Sequence, residues 1–425
     1  MLEAGKSMGA ALKAKSVYKG RSPAIYCWFV TLIVWLTGVA MPLNMLKVSI
    51  LSPVLMQSFS IGTDAMSWVM AMFYIIAAIL AVPGAVIVGK IGYRYTFVLS
   101  LLFAVIGGFI GTIATDLTVF ILSRVVEGVG FGLVSTAAVP AISGWFSPEK
   151  RGVPLGIWAM NVTMAFLVGP SLFSRMFEAT GDYHFIWGVC LAFNAILLLV
   201  VLIFYRDAPF SFDSDGERGR SAGEASASSH FANLKRVVKN PAVWILGLVF
   251  LCEEIPFLGM SNFLTTYATQ ETDISMTAMS AIISVMAVAG CCVNPLAGKL
   301  SDVLGTKKKL MVLSCIGGTA YAWMVFQTTT VEGFVPVIAL NAIAGGVIPV
   351  MIWSSIPKVV KRPEDIASAT AIVLFFQQLA ALFGSRILGM VVEHFGSFSI
   401  AGQYVMAPIF ALGLVVVFAG WKKLP

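Results

Sequence analysis

The chain has 425 residues, of which 58% are hydrophobic and only 12% charged, with a mean hydropathy of +0.90 and a formal net charge of +7. A composition this apolar argues against a soluble globular domain. The positive balance argues for membrane insertion rather than a nucleic-acid partner, because 24 of the 28 lysines and arginines sit in alternate gaps between long apolar segments.

Twelve stretches are long enough for the roughly 20 helical residues that cross about 30 Å of hydrocarbon. They lie near 25–56, 65–88, 95–114, 117–140, 152–177, 184–205, 242–268, 276–299, 309–328, 333–357, 366–391 and 400–421, and predict an all-α polytopic membrane protein. Lys6, Lys13, Lys15, Lys19 and Arg21 precede the first stretch, which is too long for a signal-peptide core and has no cleavage pattern after it, so a retained helix is expected. Basic residues recur at Lys90 and Arg94, Lys150 and Arg151, Arg206 to Lys239, Lys299 to Lys309, Lys358 to Arg362, and Lys422 with Lys423. All fall on one side of a twelve-segment chain. Both termini are therefore expected in the cytoplasm, with the chain in the plasma (cell inner) membrane. The opposite loops carry Asp64, Asp116, Glu178, Asp182, Glu271, Asp273, Glu332 and Glu393.

Between the sixth and seventh segments the composition turns to Asp, Ser, Gly, Arg and Ala, which marks a cytoplasmic linker. The expected organisation is a tail over 1–24, a six-helix bundle over 25–206, a linker over 207–240, a second six-helix bundle over 241–421 and a short tail over 422–425. Phe231, Leu234, Val237 and Val238 recur at helical spacing among Lys235, Arg236 and Lys239. That pattern fits either a short helix on the anionic membrane surface or an early start to the seventh segment. Six cysteines fall within predicted helices as small packing residues, without metal-ligand spacing. No metal or cofactor site is predicted, and His184, His230 and His394 lie in or near loops, so an enzyme is not expected.

The two halves repeat each other. Gly169, Glu178 and Gly181 match Gly384, Glu393 and Gly396 in spacing, Gly128 and Pro140 match Gly345 and Pro357, Gly92 matches Gly305, and Pro42 matches Pro256. Two parallel six-helix repeats imply a cavity between them. Charges at membrane depth are few and costly, hence functional hypotheses: Lys47, Arg124, Arg175 and Arg386 against Glu127, Glu253 and Glu254. Arg124 and Glu127, three residues apart, share a helix face and can pair. Arg175 lies nearest a helix end and is expected to snorkel to the outer interface. Repeat matching gives Lys47, Arg124 and Arg386 no charged counterpart: Asn341 stands opposite Arg124 and Ser171 opposite Arg386.

In this arrangement the chain resembles the major facilitator superfamily of secondary transporters from end to end. Its best local match is Gly298-Lys-Leu-Ser-Asp302-Val-Leu-Gly305-Thr-Lys307-Lys308, which looks like the family's signature loop; the first-half copy keeps Lys90, Gly92 and Arg94 but has Gly89 where the family usually has Asp. Arg124 to Gly132 looks like the family's arginine-containing fourth-helix motif. The resemblance implies two pseudo-symmetric six-helix bundles working by alternating access as a monomer in the bilayer, with the cavity lined by segments 1, 4, 7 and 10 and flanked by 2, 5, 8 and 11. On that basis Lys47, Arg124 and Arg386 are expected to receive a small anionic substrate, such as an organic carboxylate, with Asn44, Asn161, Asn341, Gln377 and Tyr74 beside them. Arginine suits the task because its planar fork fits a carboxylate with two hydrogen bonds. Glu253, Glu254 and Glu127 are expected to carry a coupling proton, or else the transporter exchanges anions. Asp302, Gly298, Gly305, Lys307, Arg151, Gly92 and Arg94 are expected to form the cytoplasmic gate. Proton-coupled efflux of cationic drugs, and a receptor that binds without transporting, stand as alternatives.

Overall fold

The computed structural model describes residues 23–80, 83–146, 150–208, 211–212, 218–219, 235–360, 362 and 365–424. The N-terminal tail and most of the linker fall outside that set. The described residues contain twelve helices long and apolar enough to cross a bilayer: α1 (Ile25–Ile50), α2 (Thr63–Leu80), α3 (Val86–Ile113), α4 (Leu117–Ser143), α5 (Gly152–Thr180), α6 (Tyr183–Phe204), α7 (Pro241–Glu271), α8 (Met276–Ser301), α9 (Lys308–Gln327), α10 (Phe334–Val359), α11 (Ser368–Phe395) and α12 (Phe398–Ala419). In the linker, Ser211–Phe212 pair with Arg218–Gly219 as a two-residue antiparallel ladder.

Two boundaries differ from the sequence expectation, each for a local reason, and a third that the sequence left open takes one form. The first segment breaks at Leu51, because Ser52-Pro53 start a separate helix, Ser52–Phe59, with proline in its first turn. The loop expected around Lys90 and Arg94 shrinks to a bend at Gly92, whose φ of 82° is open to glycine at little cost. Ahead of α7, residues 235–238 form one helical turn whose Val237 is buried among Val243, Leu246, Ile352 and Ile356. This turn therefore docks on the second half; the apolar Phe231 and Leu234 lie outside the described residues.

Packing repeats with the sequence. In the first half α1 packs on α5, α2 on α4, and α3 on both α4 and α6; in the second, α7 packs on α11, α8 on α10, and α9 on both α10 and α12. Gly181 and Gly396 end α5 and α11 with left-handed φ values of 67° and 66°. Gly92 and Gly305 likewise share positive φ. The α7–α11 crossing in the second half rests on two glycines, since a Cβ on Gly384 would collide with the Ile255 carbonyl and one on Gly259 would stand 2.5 Å from the Gly384 carbonyl. Helices in lipid gain little from hydrophobicity against each other, so such close backbone approach supplies much of their attraction.

The helix ends bearing Asp64, Glu178 and Glu393 are called here the acidic end, and those bearing Lys90, Arg151 and Lys307 the basic end. The halves meet along α1 with α7, α2 with α11 and α5 with α8, whereas α4 and α10 have no substantial contact among the described residues. Hydrogen bonds across the interface gather toward the acidic end: Ser49 with Asn262, Ser52 with Thr266, Ser171 with Ser284, and Thr63 with Glu393. The Gly152–Ala159 part of α5, at the basic end, packs on α1, α4 and the rest of its own helix. Among the described residues, the side-chain hydrogen bonds that join the halves thus lie toward the acidic end.

At the basic end, Arg236 donates to both carboxylate oxygens of Asp365, with contacts of 2.6 to 3.0 Å, and Asn240 Nδ2 donates to the Val359 carbonyl at 2.8 Å. The Arg236 hydrogen bonds hold the Asp365 carboxyl below its ordinary range. A group shifted down on folding stabilises the fold above its unfolded value and loses that contribution as pH falls through the folded value. Replacing Arg236 with Ala is expected to lower the melting temperature at pH 7, with the difference from the parent shrinking below about pH 4, the ordinary carboxylate value; thermal scans across pH measure this. Gly384→Ala is expected to destabilise by about 1 to 3 kcal/mol through overpacking. Gly188→Ala, which meets nothing within 4 Å, serves as the neutral control in the same unfolding assay.

Candidate functional site

A fully buried charged cluster lies inside the first half. Asn44 and Lys47 lie three residues apart on α1, and Arg124 and Glu127 three apart on α4, so each pair shares a helix face. Lys47 Nζ donates to Glu127 Oε1 at 2.6 Å and to Asn44 Oδ1 at 3.2 Å. Arg124 Nη1 donates to the other Glu127 oxygen and also to the Asn44 carbonyl at 3.0 Å. Asn194 of α6 donates to Asn44 Oδ1 at 3.3 Å. Room for this comes from α3: a Cβ on Gly107 would stand 2.6 Å from Glu127 Cγ. Aromatic faces complete the shell, with Lys47 Nζ 4.8 Å from the Trp187 ring and Arg124 4.8 Å from Phe73.

All three charges are at most 1% exposed. Two cations share one carboxylate, which leaves one positive charge without a counter-ion in the cluster. Among the described residues, Arg124 Nε has no hydrogen-bond partner. Removing one member of a buried ion pair typically costs 3–5 kcal/mol, so Glu127 is committed to holding Lys47 and Arg124.

The second half has the opposite sign. Glu253 and Glu254 are adjacent on α7 and point about 100° apart. Glu254 accepts from Gln377 Nε2 at 3.1 Å and lies within electrostatic range of Tyr74 across the interface. Glu253 turns into its own bundle near Cys315 of α9, and neither of its oxygens has a hydrogen-bond partner among the described residues. Tyr74, 4% exposed on α2, bonds Met45 and lies within electrostatic range of both Arg124 and Glu254. Tyr74 is thus within electrostatic reach of the charged core of each half, and Gln377 bonds the nearer glutamate of the second.

The remaining predicted residues are dispersed. Arg386 does not join Lys47 and Arg124; it pairs with Asp64, donates to Ser67 Oγ at 3.1 Å and stacks 4.6 Å from Trp68, all at the start of α2. Asn161 donates to the Trp158 carbonyl at 2.6 Å, and Asn341 is buried on α10. Arg175 is exposed near the acidic end. The sequence marks Asp64 only as a loop acid, marks Glu178 and Glu393 as loop acids matched by the repeat, and gives no signal for Asn194 or Trp187.

The expected gate residues are placed as follows. Arg151 Nε donates to the Ser143 and Phe146 carbonyls of its own half, at 3.1 Å each, and Lys307 Nζ donates to Ser354 of α10 at 2.7 Å. Arg94 gives its backbone N–H to Asp207 at 2.9 Å and its guanidinium to the Leu202 carbonyl at 2.7 Å. Burial raises the Asp207 carboxyl above its ordinary value, against the hydrogen bond from Arg94. A Cβ on Gly298 would meet Val350 at ordinary contact distance, and Gly92 and Gly305 supply the positive-φ turns. The Asp302 side chain lies outside the described residues.

Comparisons with known proteins agree with this architecture. The Major Facilitator Superfamily profile matches residues 27–290 and 257–425. The hexuronate transporter of Bacillus subtilis (strain 168) is 21% identical over 409 residues, covering 92% of each chain. The galactose-proton symporter of Escherichia coli (strain K12) is 29% identical over 192 residues, which are 45% of this chain and 41% of that protein. Among solved structures, the nucleoside transporter NupG superposes with a TM-score of 0.69 at 16% identity, covering 93% of this chain and 98% of that one. A bacterial homologue of the human lysosomal transporter Spinster, in an inward-facing and unoccupied conformation, gives 0.70 at 16% identity and 94% coverage of both. With the profile spanning both halves, and twelve membrane-length helices arranged as two repeats, the chain belongs to the Major Facilitator Superfamily.

Proposed function

We propose that this transporter moves a small organic anion, a sugar acid or similar carboxylate, by alternating access with proton coupling. The observation that carries the reading is the charge count in the first-half core: Lys47 and Arg124 against Glu127 alone, with Arg124 Nε unpartnered beside Tyr74. A carboxylate arriving at Tyr74 would supply the missing counter-ion. The hexuronate transporter, similar over nearly its whole length, is a relative with a substrate of this charge. Arg386, engaged with Asp64, belongs in this reading to the closure of the acidic end rather than to the substrate.

Glu254 is the carboxylate suited to exchange a proton with the interface, since it borders Tyr74 and is held by a neutral partner, Gln377. The cost of burying a lone carboxylate falls on its charged form, so loading a proton there compensates for the arrival or departure of substrate charge. Glu127 has two cations to satisfy and is structural. With the basic end in the cytoplasm, the orientation the loop charges favour, the hydrogen bonds between the halves lie on the outer side, which supports reading this as a state open to the cytoplasm.

A second reading has its own observation. Glu253 and Glu254 meet no cation in their half among the described residues, which would suit a cationic drug if both were ionised. Proteoliposomes separate the two. Labelled hexuronate is expected to enter, and Arg124→Gln, which leaves Lys47 and Glu127 as a neutral pair, is expected to fold while binding the anion at least about 30-fold more weakly, as loss of a buried charge partner implies. Uptake of galactose or of a cationic dye without uptake of hexuronate, or hexuronate binding untouched by Arg124→Gln, would overturn the anion reading; binding without flux would mark a receptor. Glu127→Gln leaves two buried cations unpaired and is expected to lose about 3–5 kcal/mol of stability, seen as lost folded yield in size-exclusion chromatography.

A further inference from the structure

Glu178 and Glu393 occupy matching positions in the repeat, three residues before Gly181 and Gly396, and neither takes part in the charged cores described above. Each stands near the end of its helix and reaches out of its own half. Glu393, on α11, accepts from the Thr63 backbone N–H at 2.8 Å, from Thr63 Oγ1 at 3.0 Å and from the Asp64 N–H at 3.5 Å, at the first turn of α2. Glu178, on α5, accepts from Thr277 Oγ1 at 3.1 Å, at the first turn of α8. Helices α2 and α8 are themselves repeat equivalents. The duplication has therefore built a like contact twice, a carboxylate of one half at the first turn of a helix in the other, seated on backbone N–H groups at α2 and on a side-chain hydroxyl at α8.

We propose that these contacts are an unequal pair of interdomain latches, in which Glu393 caps α2 from the opposite half and governs closure of the acidic end, while the Glu178 side parts first. The inequality follows from what precedes each helix. Ser275 already caps α8 from its own chain segment, its Oγ accepting from the Ala278 N–H at 3.1 Å. Gly62 precedes α2 and has no side chain to do so, leaving the N–H groups of that first turn to a partner from outside. The neighbouring residues extend the difference. Arg386 of α11 bonds Asp64 and Ser67 of α2, whereas the α5–α8 edge has the neutral Ser171–Ser284 contact at 3.0 Å.

Two glycines adjust the fit at the stronger edge. A Cβ on Gly62 would collide with the Glu393 carboxylate, and one on Gly389 would collide with Ser67 Cβ and stand 2.6 Å from the Thr63 carbonyl. Closure at this edge thus requires backbone against backbone and a carboxylate seated on bare N–H groups. Neither requirement depends on which substrate is carried.

Spin-label distance measurements test the proposal, using one label pair at the exposed Ser58 and His394 across the α2–α11 edge and another at the exposed Asp182 and Asp273 across α5–α8, with native cysteines replaced by serine. Glu393→Ala is expected to raise the ratio of long-distance to short-distance conformers about fivefold at both pairs, the factor that losing one helix cap of ordinary strength carries. Glu178→Ala is expected to lengthen only the Asp182–Asp273 pair. An unchanged Ser58–His394 distribution in Glu393→Ala, or equal opening of both pairs by Glu178→Ala, would overturn it. Should Glu393→Ala fail to fold, Gly62→Ala displaces the same carboxylate sterically and is read by the same two outcomes.

Discussion

Two buried cations sharing one carboxylate set the terms for the rest of this molecule. Where water is absent, Lys47 and Arg124 are held only because Glu127 lies between them, and Glu127 fits only because α3 presents Gly107 to it. That arrangement binds α1, α3, α4 and α6 of the first half into one unit. It also leaves a positive surplus in the cluster that no salt bridge among the described residues neutralises.

The second half is built to the same plan in packing and to the opposite plan in charge. Helix pairs recur in order, and the turn glycines share their positive φ, because close packing in lipid depends on small residues that a duplication copies intact. Charges are under no such constraint. Glu253 and Glu254 stand where the first half has apolar residues, so the interface separates a cationic core from an acidic one. The scaffold is thus symmetric where packing decides and asymmetric where charge does.

The fold was legible from residue chemistry alone in its main lines. Segments of about 20 apolar residues have few alternatives in a bilayer, and the matched glycines of the two halves announced the duplication. Boundaries failed where one residue decided them: Pro53 split the first segment, and Gly92 absorbed a whole predicted loop. At the site, the pairing of Arg124 with Glu127 followed from their spacing, as any i, i+3 contact on a helix does. Arg386 is placed apart from Lys47 and Arg124 here, since depth along a helix says nothing about which neighbour a long side chain meets. Its partner, Asp64, lies 322 positions away.

By itself, then, the sequence determined membrane residence, helix number, the repeat and the short list of charges that must be accounted for, because hydrophobicity, loop charge and residue spacing are local properties. Only the tertiary structure decided which charges cancel, that Glu127 serves two cations while Glu253 has no hydrogen-bond partner among the described residues, and that Glu178 and Glu393 cross between halves. Electrostatic pairing depends on distance in space, and in a twelve-helix bundle the residues that come within hydrogen-bonding reach of each other are set by how helices far apart in the chain pack together.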